Sequence, residues 1–227
     1  MRRILAFLLA LCLMLAGCAN AQNETDIPVE EEIVEEVVVD APAQTGKTIL
    51  PLPDTTMDNL TDAIVAVSFE KGDAYVDDDG ILQLDVTVHT YDKYDMVDIA
   101  MLEAGDIIVG YAGEVEVTSV EQNEAGTVMI NGGLEAGGFD LVTEDNGVFF
   151  EAGFNDAKNW YEVGTATLRV SADMEGIDNA DPELGEVTFY PGDLLNNSIE
   201  NFHFTPHNTT IRVESGQIVE MNRRYVP

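Results

Sequence analysis

Cysteine is almost absent from this chain of 227 residues; only Cys12 and Cys18 occur. Everything beyond Cys18 is without a thiol. That excludes an internal disulfide, a cysteine zinc site and thiol catalysis there, and leaves stability to an ordinary hydrophobic core. Positive charge is scarce too. Ten Lys and Arg stand against 43 Asp and Glu, a formal net charge of −33. Such a chain repels nucleic acid and anionic headgroups, so nucleic-acid binding is excluded and cationic partners are favoured. Beyond the first 16 residues no apolar run reaches the roughly 20 residues that a spanning helix needs. Catalytic signatures are missing as well. There is no Gly-x-Ser-x-Gly elbow, and the glycine pairs Gly132-Gly133 and Gly137-Gly138 lack the Lys-Ser/Thr of a phosphate loop.

What is present begins at the N-terminus. Arg2 and Arg3 precede an uncharged apolar stretch, Ile4 to Ala16, too short for a transmembrane helix and of the right length for the core of a secretory signal. The stretch ends in Leu15-Ala16-Gly17-Cys18. This arrangement resembles the lipobox signal peptide of bacterial lipoproteins. The resemblance implies removal of residues 1–17, lipidation of Cys18 as the mature N-terminus, and a place on the extracytoplasmic side of a membrane. The paired arginines lack the flanking pattern of twin-arginine export, which favours the general secretory route. Two or more acyl chains anchor stably where one does not.

Residues 18–46 read as an acidic tether. They carry eight acids and no base, and Pro28 and Pro42 bracket a Glu/Val run. Like charges extend such a segment, although Ile33 to Val39 offers a strand as the alternative. Residues 47–227 are then expected to form a single β-rich globular domain; the polar, acidic stretch 171–185 marks where a boundary would fall if there were two.

The pattern beyond residue 47 is strand and turn. Leu82, Leu84, Val86 and Val88 alternate with polar residues, the signature of a strand with one buried face. Asp79-Gly80 connects it to Ala74–Val76 as a hairpin. Asn146-Gly147 lies between Phe139–Val142 and Val148–Glu151, and Ser215-Gly216 between Thr210–Val213 and Gln217–Val226. Asp106–Val109 and Glu114–Val120 flank Ala112-Gly113, and Glu114–Val120 and Thr127–Ile130 flank Asn123–Gly126. Helix is expected only as a turn or two at Asp95–Leu102, capped by Asp95, and at Met57–Ile64. The fold class is all-β: an antiparallel, hairpin-rich sandwich or barrel.

Chemistry has few places to sit. Asp73, Asp77, Asp78 and Asp79 cluster at one hairpin tip. A solvated turn is the plain reading and a calcium site the sharper one, although the spacing is not that of an EF-hand. Asp173, Glu175, Asp178, Asn179 and Asp181 form a second, equally irregular calcium candidate, for which plain loop is again the plainer reading. Pro206 prevents His203 and His207 from sharing a helix face, and His89 continues the polar face of its strand. Trp160, Tyr161, Tyr91 and Tyr94 are the aromatics that a glycan site would present, with core the plainer role for the lone tryptophan. Arg212, Arg223 and Arg224 gather in the terminal hairpin, where they pair with the domain's own acids or receive an anionic group.

The expectation is a lipid-anchored, non-enzymatic surface module with a protein or glycan partner and no cofactor other than the calcium alternative. An extracytoplasmic hydrolase using two carboxylates on envelope or dietary glycans is the second reading.

Overall fold

The computed structural model describes residues 46–144, 146–154 and 157–226. The signal peptide, Cys18 and nearly all of the tether lie outside them. The strands run in chain order as β1 (Thr48–Ile49), β2 (Ala63–Ser68), β3 (Ala74–Val76), β4 (Leu82–Thr90) and β5 (Lys93–Asp95), followed by helix α1 (Met96–Ala100). Next come β6 (Ile107–Gly110), β7 (Gly113–Glu116), β8 (Val120–Gln122), β9 (Val128–Ile130), β10 (Phe139–Thr143) and β11 (Val148–Ala152). The last part holds β12 (Tyr161–Asn179), β13 (Val187–Phe189), helix α2 (Pro191–Leu195), β14 (Thr209–Glu214) and β15 (Gln217–Arg224). The fold is all-β.

Five of these strands close a barrel in the order β2-β4-β12-β15-β14 and back to β2. Numbered along the chain, that is 1-2-3-5-4-1, the connectivity of a small Greek-key barrel of the OB type. Closure depends on β12. Its first half pairs antiparallel with β4, Tyr161 opposite Thr90 through Arg169 opposite Gln83. Its second half pairs parallel with β15, Glu175 opposite Glu220 through Asn179 opposite Arg224. β3 and β13 extend the edges.

Sequence alternation explains the barrel interior. Leu84, Val86 and Val88 of β4 are buried, and the residues between them face outward. They meet Val67, Leu168, Ile211, Ile218 and Met221 in one core. Each fully buried aliphatic side chain contributes about 1.5–3 kcal/mol, so this cluster is the main source of stability. Helix α2 closes one end of the barrel by inserting Leu194, which is fully buried. Its start is fixed by Pro191 in the first turn and by Asp193, whose carboxylate accepts the Tyr190 N–H at 2.8 Å.

Between β4 and β12 the chain inserts a second β unit with its own core. Its five-stranded sheet, β5-β11-β10-β9-β8, packs with β6 and β7, to which β1 from before the barrel strands adds a third strand, around Tyr94, Ile108, Ile130 and Leu141. The hairpin predicted at Asn146-Gly147 is present as β10–β11, with Gly147 at φ 79° as the turn requires. Helix α1 starts as expected, Asp95 Oδ1 accepting the Val97 N–H at 2.7 Å.

Three expectations are corrected. Met57–Ile64 makes only a short 3-10 turn at Met57–Asn59, because Ala63 onward is recruited into β2. Glu114–Val120 is not one strand, since β7 and β8 belong to different sheets. Asp173 to Asn179 is strand rather than loop; pairing with β13 and β15 outweighs its polar composition. Among the described residues two strand pairs, β1–β6 and β12–β15, are parallel and the others antiparallel. Among the described residues no helix is long and apolar enough to cross a membrane.

Candidate functional site

A cavity of about 530 Å3 opens at the α2 end of the barrel. The end of β12, the 180–186 loop, β13, α2 and the end of β15 build its walls. Phe189 and Ile199 supply a buried apolar floor, and Leu184, Val187 and Tyr225 stand exposed around the mouth. Ligand cavities are typically ~300–1,000 Å3 and mostly apolar with a few fixed polar groups, and this one fits both criteria.

The fixed polar group is an ion pair. Arg223 is buried to 3 % exposure, and its Nε donates to Asp178 Oδ1 at 2.8 Å while Nη2 reaches Asp178 Oδ2. The carbonyls of Asn201 and Glu200 accept from Nη1 and Nη2 at 2.7 and 2.9 Å, and the guanidinium lies 4.8 Å from the Phe204 ring centroid. Most of its donors are satisfied, so the pair shapes the wall rather than offering a bare charge. Three other carboxylates line the cavity. Asp193 is held by Tyr190 N and Ser198 Oγ, each at 2.8 Å, and Asp181 accepts the Glu183 N–H at 2.9 Å. The Glu200 side chain makes no hydrogen bond among the described residues. With Asp178 cancelled by Arg223, the cavity is acidic at its rim.

The residues singled out by sequence are dispersed. Asp77 is a turn former: its carboxylate accepts from the N–H groups of Asp79 and Ile81 and from Gln83 Nε2, which hold it below the usual carboxylate range. Asp73 accepts the Glu70 N–H at 2.7 Å and lines an open polar depression of about 370 Å3 with Asp85. Asp78 and Asp79 point into solvent. Among the described residues no three His, Cys, Asp or Glu side chains come together as a metal-holding group. His89 Nε2 lies 2.8 Å from Ser68 Oγ, and burial lowers its proton affinity.

The aromatics do not form an exposed row. Tyr94 is fully buried and donates to the Val109 carbonyl at 2.9 Å. Tyr91 packs edge-on against Trp160 and Phe150. Its hydroxyl donates to Glu144 Oε1 at 2.5 Å and accepts from Lys158 Nζ at 2.8 Å, and Lys158 also pairs with Glu144. Burial and the neighbouring carboxylate push the Tyr91 phenol far above its ordinary range. Burial alone would raise Glu144, but the bonds from Lys158 and Tyr91 outweigh it and hold the carboxyl low. Glu151 behaves oppositely. Burial and the nearby Asp92 raise it, despite the Tyr111 N–H that its Oε2 accepts at 3.1 Å. Asp92 is itself bonded by Tyr161, whose phenol is pushed up to about 12 by burial and that carboxylate.

Sequence reasoning missed the cavity and the Tyr91–Glu144–Lys158 triad, both assembled from distant segments. One signal was available for the cavity: Leu184 and Val187 are apolar residues set in an acidic loop. No family model, no curated protein and no solved structure matches the chain.

Proposed function

We propose that this chain is a lipid-anchored, extracytoplasmic binding protein, without catalysis of its own, whose α2-end cavity takes a small, largely apolar ligand bearing a positive charge. The cavity carries the reading: its volume suits a small molecule, its floor is apolar, and Asp181 and Glu200 leave uncompensated negative charge at its mouth. The anchor rests on Arg2, Arg3, the apolar stretch and Leu15–Cys18, and the acidic segment up to residue 46 serves as the spacer.

The experiment compares the full soluble domain with two amphiphiles of equal chain length below their micellar concentrations, dodecyltrimethylammonium and dodecyl sulfate. The cationic one is expected to bind saturably and raise the melting temperature, and Leu184→Glu with Tyr225→Ala to abolish the effect. Saturable binding of neither, or equal binding by the double variant, refutes the cavity. For the anchor, mass spectrometry of membrane-fraction protein is expected to find acyl mass on Cys18; an unmodified N-terminus refutes it.

A carboxylate-dependent hydrolase of envelope or dietary glycans is the second reading, and Glu151 is the observation on its side. A carboxyl raised by burial beside Asp92 is what a general acid needs. Release of reducing sugar from cell-wall or plant polysaccharide by wild type, and not by Glu151→Gln, would establish it in place of the first.

A further inference from the structure

Next to the acidic cavity, two further cavities of about 470 and 200 Å3 follow the end of β15; the larger shares Ala180, Asn201, Arg223 and Tyr225 with the acidic one. They share His207, Asn208 and Arg224, so they form one trough. Among the described residues none that lines either of them is acidic, in a chain where Asp and Glu number 43. Basic residues are concentrated there instead: Lys158, His203, His207, Arg223 and Arg224. Three neighbouring carboxylates are engaged, Glu144 by Lys158, Glu220 by Arg212 and Asp178 by Arg223, which also occupies Lys158 and Arg223 and leaves Arg224 and the two histidines.

Arg224 differs from the other two arginines of the terminal hairpin. Arg212 and Arg223 each hold a carboxylate, whereas Arg224 is exposed and has no ion pair among the described residues. Its Nε meets only the His207 carbonyl, at 3.3 Å, which brings the guanidinium beside that histidine. Neither the His203 nor the His207 ring is hydrogen-bonded to another described residue. Trp160, the sole tryptophan, lines the smaller cavity and is half-buried. The net charge of the chain does not forbid an anion here. Charges beyond ~8 Å are largely screened at physiological ionic strength, so nearby groups, Arg224 foremost, set the potential in the trough.

We propose that this trough binds a small molecule bearing an oxyanion, a carboxylate, sulfate or phosphate, held at Arg224 and His207 with the body of the ligand against Trp160. A planar guanidinium with unengaged N–H groups matches the paired oxygens of such groups. The proposal stands independently of the acidic cavity, whose lining does not include Arg224, His207 or Trp160.

The test uses tryptophan fluorescence and calorimetry on the soluble domain, titrated into the millimolar range with glucuronate, inorganic phosphate and sulfate at constant ionic strength. At least one is expected to bind saturably and change the emission of Trp160. Arg224→Ala is expected to weaken it about tenfold, the worth of a charged hydrogen bond, with partial recovery in Arg224→Lys and no change in Arg212→Ala. Preference for glucuronate identifies a sugar acid; equal binding of the inorganic ions identifies a free oxyanion site. Arg224 is exposed and Arg212 partly so, and matching melting curves establish folding. Absence of saturable binding by all three ions, or binding unaltered in Arg224→Ala/His207→Ala, overturns the proposal.

Discussion

Asp178 and Arg223 face each other across the parallel pair β12–β15, and the guanidinium closes against the carboxylate while lying over Phe204. Removing either partner leaves a buried charge uncompensated. Asp178→Ala is expected to cost about 3–5 kcal/mol, measured by urea unfolding. Replacing both residues together with Leu and Met is expected to recover most of that loss. Equal destabilisation by single and double variants would contradict this account.

Gly176 of β12 lies under Phe189. A Cβ built there falls 2.3 Å from the ring, and Phe189 is too buried to move aside. Gly176→Ala is expected to cost about 1–3 kcal/mol through overpacking. Because Phe189 is also the cavity floor, the same variant is expected to weaken binding of the dodecyltrimethylammonium probe, read by calorimetry.

Glu144 couples the inserted unit to pH. Its carboxyl is held low by Lys158 and Tyr91, so it binds a proton more weakly in the folded than in the unfolded chain. Its contribution is present at neutral pH and lost as pH falls through its folded value. Glu144→Gln is therefore expected to destabilise at neutral pH, with the difference from wild type vanishing under strong acid. Unfolding curves across that range provide the check.

Glu151 carries the reverse sign. Its folded proton affinity is raised, so its contribution is full below the ordinary carboxylate range and is lost as pH rises through the folded value. Glu151→Gln is expected to raise the melting temperature at neutral pH and to leave it unchanged in acid.

The hairpins were legible because turn chemistry and period-two burial coincide in single short segments: Asp79-Gly80 before β4, Asn146-Gly147 between β10 and β11, Ser215-Gly216 between β14 and β15. β2 was not. Val65, Ala66 and Val67 are buried in succession while Ile64 is exposed, so no alternation marks it. The second half of β12 was hidden by its acids, of which Asp173 and Glu175 face outward around buried Met174 and Gly176. The candidate site was less legible still. The arginines of the terminal hairpin could be flagged as a group, but only the fold separates Arg223, locked in the wall, from Arg224, left beside His207.

The division of β12 between two partners also sets an order of events. β2 and β4 are made early, yet the barrel cannot close until β14 and β15 arrive after the whole inserted unit and all of β12. Until then β2 and the second half of β12 present unpaired edges, the kind of surface that invites pairing with another chain. Closure also joins segments far apart in sequence, which slows folding. A chain truncated before Thr209 therefore lacks more than a hairpin; it keeps two open edges and belongs with aggregation-prone species rather than with shortened domains.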